Sequence, residues 1–593
     1  MGNEAMAYGA VEASVRVATA YPGTPSSEIL STLAAVAADR GFYVEWSVNE
    51  KVALEVAAGA SYAGARALVA MKQVGLNVAA DPLMSLAYIG VKGGLVLVVA
   101  DDPGPHSSQT EQDTRKFARF AKLPVLDPAT PREAREMARW AFELSEKLCL
   151  PVLLRPTTRT CHACQDVPVG DETAAPRPPS GFQKSPEWVI LPGLTARKHP
   201  WLNRQQEEAR AIFEQSPFNE LMVDEKSDVG IVACGVSYNY VREAVSMDGV
   251  NASVLKIGTP YPLPHGPVRE LFTRCRKILV VEEQEPVVED QVIALAWHGR
   301  AAVRISGKHD HLVPREGELN VDKVKAALAR FLGQEEGGAP PVPAPALPLR
   351  TPVLCAGCPH RASFYIFKEA AKGADAVFTG DIGCYTLGAA PPLNAVDTCL
   401  CMGASITIAT GLNRVEPHRR QVAFLGDSTF FHTGIPGLIN AVYNRAAITV
   451  VVLDNRTTAM TGHQPHPGLK RTAMGPVETS LDIVRLAEAC GVELVREVDP
   501  YDLKAAQEAA REAMAHPGPA VVVMKRECVA LAAKGPHYKV NQQACVECGA
   551  CVEDLGCPAI GRIDGVPHIT PNCFGCGVCA QVCPAGAIEE AGA

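Results

Sequence analysis

Eight cysteines near the end of the 593-residue chain are spaced for chemistry. Cys573, Cys576, Cys579 and Cys583, in CFGCGVCAQVCP, follow C-x2-C-x2-C-x3-C-P, the spacing that wraps a [4Fe–4S] cluster. Three close thiolates take one corner of the cuboid and the fourth reaches away. An earlier run, CVECGACVEDLGCP, carries Cys545, Cys548, Cys551 and Cys557, and its last gap is five residues rather than three. In twin runs the fourth cysteine of each serves the other's cluster. The expected sets are therefore Cys545, Cys548, Cys551 and Cys583 for one, and Cys573, Cys576, Cys579 and Cys557 for the other. Zinc also takes C-x2-C pairs, but two triplet-plus-CP runs fit clusters better. Such centres pass single electrons, so something in the chain must load them.

A second pattern lies upstream. QVAFLGDSTFF reads as a buried strand ending in Gly426, Asp427 and Ser428; a helix, GIPGLINAVYN, follows; a second strand, ITVVVLDN, ends at Asn455. Asp427 and Asn455 are 28 positions apart, about one βαβ unit. That unit puts both residues at the carboxyl ends of parallel strands, where open sheets bind ligands. A carboxylate and an amide oxygen are hard ligands suited to Mg²⁺ that also holds a diphosphate. Gly426 is expected to let the backbone approach phosphate, and the next helix N-terminus favours anions.

The elements that carry these residues read as alternating strand and helix, hence α/β with parallel sheets. RALVAMKQ, GGLVLVVADD and PVLLRPTT are expected strands, with EKVALEVAAGASYAG and AADPLMSLAYIG as helices between them. A first α/β domain is expected over 1–165, and a polar, Pro-rich connecting segment over 166–225 with a helix near 203–215. A smaller α/β domain follows over 226–334. Residues 335–352 hold six prolines and read as a semi-rigid linker. A third α/β domain spans 353–535, and an α+β tail with the eight cysteines spans 536–593. Net charge is −9 with both signs mixed, which argues against nucleic acid as the main partner. The N-terminus lacks a basic then apolar leader, and no apolar run is long enough to span a bilayer. A cytoplasmic setting without membrane is the expectation, with the 20 cysteines serving metal centres rather than disulfides.

GDS followed by DNRTT resembles the thiamine diphosphate (TPP) motif, usually GDG with a later Asn; Ser428 is the departure. The resemblance implies Mg²⁺ held by Asp427, Asn455 and the main-chain carbonyl of Thr457. It also implies a partner domain whose glutamate hydrogen-bonds the aminopyrimidine and promotes loss of the thiazolium proton. WSVNEKVALEVAAGAS offers Glu50, which by itself could be a helix-N-terminal acid that complements the dipole; beside the GDS–Asn pair it reads as catalytic. AYPGTPSSEI resembles the YPxTPSS motif of the 2-oxoacid:ferredoxin oxidoreductase family. Within that family, the Glu-bearing domain first, the twin-cluster tail last, and DDPGPHSSQTEQDTR, CPHRA, DTCLCMGAS and LDNRTTAMTGHQPHPG resemble the large subunits of the indolepyruvate branch. The resemblance implies two doubly wound TPP-binding domains (pyrimidine and diphosphate), a transketolase C-terminal-like α/β domain between them, and a 2[4Fe–4S] ferredoxin-like tail. It implies Thr24 near substrate and cofactor.

It also prompts a third candidate [4Fe–4S] cluster, held by Cys355, Cys358, Cys384 and Cys528 as a stepping stone. Cys384 or His360 could instead line the TPP pocket, and Met402 could support the cofactor by packing. Cys399 and Cys401 are expected near that pocket. Cys161 and Cys164 form a C-x2-C pair with no second pair near, and read as core or loop. Cys149, Cys234, Cys275 and Cys490 read as core. His463 and His466 follow the Asn455 loop and are open between substrate or phosphate contact and solvent.

The implied activity is oxidative decarboxylation of arylpyruvates to the acyl-CoA, with electrons leaving through the clusters to ferredoxin. CoA is the co-substrate, and a small β subunit completes an α2β2-type assembly because no stretch is left to supply a further domain. Pyruvate or another 2-oxoacid is the alternative substrate. A non-oxidative TPP decarboxylase would not need eight cluster cysteines, and an electron-transfer subunit without catalysis would not need Glu50 with the Asp427–Asn455 pair.

Overall fold

The computed structural model describes residues 1–168, 178–334, 347 and 351–591. The Pro-rich linker expected over 335–352 lies almost wholly outside the described residues. The chain divides into two compact units, 1–344 and 345–593.

The first unit contains two sheets. One has six parallel strands in the order Tyr43–Trp46, Val17–Ala20, Ala67–Lys72, Leu95–Ala100, Val152–Leu154, Val125–Leu126. Leu95–Ala100 is buried at every position, as a central strand with helices on both faces must be. The other sheet runs Arg304–Ser306, Lys277–Val281, Val229–Cys234, Ser253–Ile257, Glu220–Met222, with the last strand antiparallel at the edge. Its edge strand begins at Glu220, ahead of the boundary expected at 226. The helix expected near 203–215 is longer, Pro192–Phe213. Buried charge joins the two sheets. Arg155 reaches Asp101 at 2.7 Å and Asp127 at 3.0 Å, and Arg115 reaches Asp113 at 2.6 Å and Glu282 at 2.9 Å. Each guanidinium meets two carboxylates, which offsets the cost of taking it out of water.

The second unit carries a five-stranded parallel sheet in the order Ala376–Thr379, Arg420–Gly426, Ile448–Asp454, Ala520–Lys525, Leu494–Val498. The rows RQVAFLG and ITVVVLD are almost wholly buried. Phe424 packs against Phe364, Phe367 and Phe378, with ring centroids 4.8, 5.5 and 6.0 Å away. Burying a side chain of that size contributes about 1.5–3 kcal/mol. The cysteine-rich tail is not a loose appendage. Ile560, Ile569, Val578, Val582 and Ile588 share one core with Val422, Phe424 and Phe364. The tail's own secondary structure is small, with two-stranded pairings and two short helices, Ala550–Glu553 and Val578–Val582. Among the described residues no helix is long and apolar enough to cross a membrane.

Candidate functional site

In the first unit, helix Glu50–Tyr62 starts where Asn49, in extended conformation, accepts from the Val52 N–H at 2.9 Å. The cap is therefore supplied by Asn49, and Glu50 is free of that duty. Glu50 is buried, with 5% of its surface exposed. Gly75 makes the room: a Cβ there would stand 2.6 Å from Glu50 Oε1. Gly75→Ala is expected to displace this carboxylate and lower turnover about 10²-fold with the thermal midpoint little changed; steady-state rates beside a melting curve check it.

The loop with Thr24 lies in the same unit. Ser26 Oγ donates to the Gly23 carbonyl at 2.9 Å, and Ser27 Oγ accepts from the Gly23 N–H at 2.9 Å. Ser107 Oγ donates to the Thr24 carbonyl at 3.1 Å. The stretch DDPGPHSSQTEQDTR is organised by Asp102, which accepts from the N–H groups of Ser107 and Ser108 at 2.8 and 2.9 Å and from Thr158 Oγ1 at 2.6 Å. Lys72, which the motifs did not single out, runs against Gly23, where a Cβ would lie 2.9 Å from its Cγ. Burial pushes its ammonium below the usual range, opposed by Asp102 and Glu50.

In the second unit, Asp427 and Asn455 follow adjacent parallel strands, paired Gly426 to Leu453. Asp427 opens the helical stretch rather than ending the strand, so Ser428 sits in a right-handed turn that needs no glycine. Gly426 also has a packing reason: a Cβ there would meet the Tyr385 ring at 2.5 Å. Tyr385 in turn hydrogen-bonds Thr429 Oγ1 at 2.7 Å and the Ile382 carbonyl at 2.6 Å.

His360 is buried, and burial pulls its imidazole down to about 4, with Asp427 opposing. It is thus neutral, and its Nε2 accepts from Asn455 Nδ2 at 3.3 Å. That bond turns the amide nitrogen of Asn455 toward His360 and leaves its oxygen facing away from the imidazole. His466 Nε2 faces Asp427 Oδ2 at 3.0 Å, while its Nδ1 accepts from the Gly468 N–H at 3.2 Å. His463, by contrast, is exposed. Asp454 faces Asp427. Burial first, and Asp427 next, push the Asp454 carboxyl up to about 6. Asp427 Oδ2 has no aligned hydrogen-bond donor. Two buried carboxylates side by side, with an oriented amide oxygen, fit a divalent cation. Thr457, the third expected ligand, is buried in the same loop.

Met402 lies at the head of helix Ala404–Val415, and its carbonyl accepts from Thr433 Oγ1 at 2.6 Å. Gly403 takes φ +83 beside Thr433, where a Cβ would clash at 2.3 Å. Asp381 braces this turn through the N–H groups of Gly403 and Ser405 at 2.9 and 3.0 Å. Sequence reasoning missed Asp381, although TGDIG repeats the strand-end GD of LGDST. Cys399 and Cys401, just before Met402, are exposed.

The cysteines sort into three places. One cavity is lined by Cys557, Cys573, Cys576 and Cys579. A second is lined by Cys545, Cys548, Cys551 and Cys583. Among the described residues no three His, Cys, Asp or Glu converge for a single metal ion; four thiols around a cavity suit a cuboidal cluster instead. Cys355, Cys384 and Cys528 lie within electrostatic reach of one another, and Cys528 N–H donates to the Asn455 carbonyl at 3.0 Å. Cys358, expected with them, lines the first tail cavity. Cys161 is buried and Cys164 exposed. Cys234 and Cys275 are core as expected, but Cys149 is exposed and Cys490 half-buried; each follows an amphipathic helix whose last residues border solvent.

Comparison with known proteins agrees with this anatomy. Residues 8–209 match the thiamine diphosphate-binding family of pyruvate flavodoxin/ferredoxin oxidoreductases, and 381–524 the C-terminal TPP-binding domain of thiamine pyrophosphate enzymes. Residues 219–345 match the indolepyruvate oxidoreductase domain, and 567–589 a 4Fe–4S binding domain. The chain is 45% identical to indolepyruvate oxidoreductase subunit IorA of Pyrococcus horikoshii, over 100% of its own length and 96% of the relative's. It is 44% identical to the subunit of the same name from Methanothermobacter marburgensis, over 100% and 97%. A solved 2-oxoglutarate:ferredoxin oxidoreductase from Magnetococcus marinus aligns at TM-score 0.44 and 17% identity, covering 56% of this chain and 64% of that one.

Proposed function

The chain belongs to the indolepyruvate oxidoreductase IorA family of TPP-dependent 2-oxoacid:ferredoxin oxidoreductases, and from that premise we propose how its residues divide the reaction. The activity is ferredoxin-linked oxidative decarboxylation of arylpyruvates, indolepyruvate among them. The observation that carries the reading is that the Asp427–Asn455 site and two cysteine-lined cavities belong to one packed unit.

Asp427, Asn455 and the Thr457 carbonyl would hold Mg²⁺ and, through it, the diphosphate. Bound there, TPP supplies the carbon nucleophile that takes up the 2-oxoacid and lets CO2 leave. His360, neutral, fixes the Asn455 amide so that its oxygen faces the cation. Asp381 and Gly403 set the turn that presents Met402. Glu50 holds or moves a proton at the aminopyrimidine, and Thr24 meets the substrate. The eight tail cysteines hold two [4Fe–4S] clusters, which accept electrons singly. Cys355, Cys358, Cys384 and Cys528 would border a third. CoA takes the acyl group. As a subunit, the chain works with a partner; a β subunit in an α2β2 assembly is the form we propose. A cytoplasmic setting, where thiols stay reduced, suits so many cysteines.

Iron, acid-labile sulfide and TPP of the anaerobically purified chain test this. About eight irons and one TPP correspond to two clusters and a thiamine site, and about twelve irons to three clusters. No TPP after addition of Mg²⁺ and cofactor would leave an electron carrier and overturn the catalytic reading.

A further inference from the structure

Arg361 is a buried cation without a carboxylate. Its side chain donates to three backbone carbonyls: Leu354 at 2.6 Å, Leu555 at 3.2 Å, and Gly556. It is 5% exposed, its Nε has no partner, and among the described residues it makes no ion pair. Buried Arg115 and Arg155, by contrast, each meet two carboxylates. A guanidinium taken out of water costs several kcal/mol unless an anion compensates it, and three carbonyl dipoles are a partial answer. Burial indeed weighs against its charge, while the sulfurs of Cys557, Cys358, Cys355 and Cys576 favour it.

The anion is legible from the surroundings. Arg361 lines the same cavity as Cys557, Cys573, Cys576 and Cys579. A cuboidal cluster with four thiolates is negative in both of its working oxidation states. The other cavity, with Cys545, Cys548, Cys551 and Cys583, is lined by no charged side chain. The two clusters would thus sit in similar cysteine cages but unlike fields. Net charge near a cluster is one of the determinants of its reduction potential: a nearby cation stabilises the state with the extra electron.

We infer that Arg361 is the counter-ion of the cluster in the Cys557–Cys573–Cys576–Cys579 cavity and makes it the higher-potential of the two tail clusters. The inference rests on the assignment of clusters to these cavities. Its place in the chain gives it a use. Helix Pro359–Ala370 begins with His360, which meets Asn455, and Arg361, which meets this cavity. One helical turn therefore touches both the thiamine-side residues and the cluster that would receive electrons most readily. Arg361 is a positioning and tuning residue, not a catalytic one.

The test is a redox titration of the full chain, isolated anaerobically and followed by electron paramagnetic resonance, with iron and sulfide measured on each sample. Arg361→Gln keeps a polar side chain and removes the charge. It is expected to move one tail cluster's one-electron equilibrium on the order of tenfold toward the oxidised form, about 59 mV, and leave the other in place. Arg361→Lys restores the charge and is expected to return the potential toward wild type. Unchanged potentials in Arg361→Gln with full iron would overturn the inference. Equal loss of iron from Gln and Lys variants would also overturn it, since the carbonyl ties and not the charge would then matter. Wild-type protein without iron and sulfide would remove the cluster assignment itself, and this inference with it.

Discussion

Glu50→Gln is expected to lower turnover by about 10²–10⁴-fold, the usual contribution of a positioned acid–base group, while TPP content and melting temperature stay near wild type. The two roles open to this residue differ in what they move. A helix-N-terminal acid acts on stability, by about 0.3–1 kcal/mol at an exposed site, and leaves chemistry alone. Here the cap is already made by Asn49, and the carboxylate is buried against Gly75. Glutamine keeps the shape and a hydrogen-bonding oxygen but cannot carry the proton. Rates at saturating Mg²⁺ and TPP, with bound TPP counted in the same sample, check the outcome. A variant that loses stability but keeps turnover would return Glu50 to the helix.

Asp427→Asn is expected to abolish the stabilisation that Mg²⁺ plus TPP give the wild-type chain, and to lower activity by at least about 10²–10³-fold. A ligand at a hundred times its dissociation constant stabilises by about 2.7 kcal/mol, so thermal melting with and without cofactor reads the effect directly. The metal-free protein should change little. Asp427 and Asp454 are buried together, and the burden falls on Asp454, whose carboxyl is pushed up. Neutralising Asp427 relieves the repulsion on Asp454 but loses the contact with His466, so melting in chelator should change far less than the cofactor response. A residue kept for structure would show the opposite pair of results: lower stability in chelator and an intact response to Mg²⁺ and TPP.

Much of this protein was readable without its structure, for one physical reason. Where chemistry is set by neighbours in the chain, spacing carries it. The cysteine triplets are local loops, and the twin-run rule pairs Cys557 with the later triplet and Cys583 with the earlier; each set lines one cavity, with Cys358 added to the first. Asp427 and Asn455 are joined by one βαβ unit, so the strand-helix-strand period itself brings them to one sheet edge. What the fold alone decided are the groups that converge from distant elements. Asp454 gains meaning only because its strand lies beside that of Asp427. Gly426 answers to Tyr385, 41 positions earlier. His466 turns inward and His463 outward within one loop that the sequence leaves symmetric. Cys358 stays beside Cys355 yet also lines the tail cavity, because the tail packs into the core of the preceding domain. Arg361 is the same case. Beside the nearby Leu354 carbonyl, its partners are the carbonyls of Leu555 and Gly556 and the tail cysteines, and no period or spacing in a linear chain encodes a buried charge's distant neighbour.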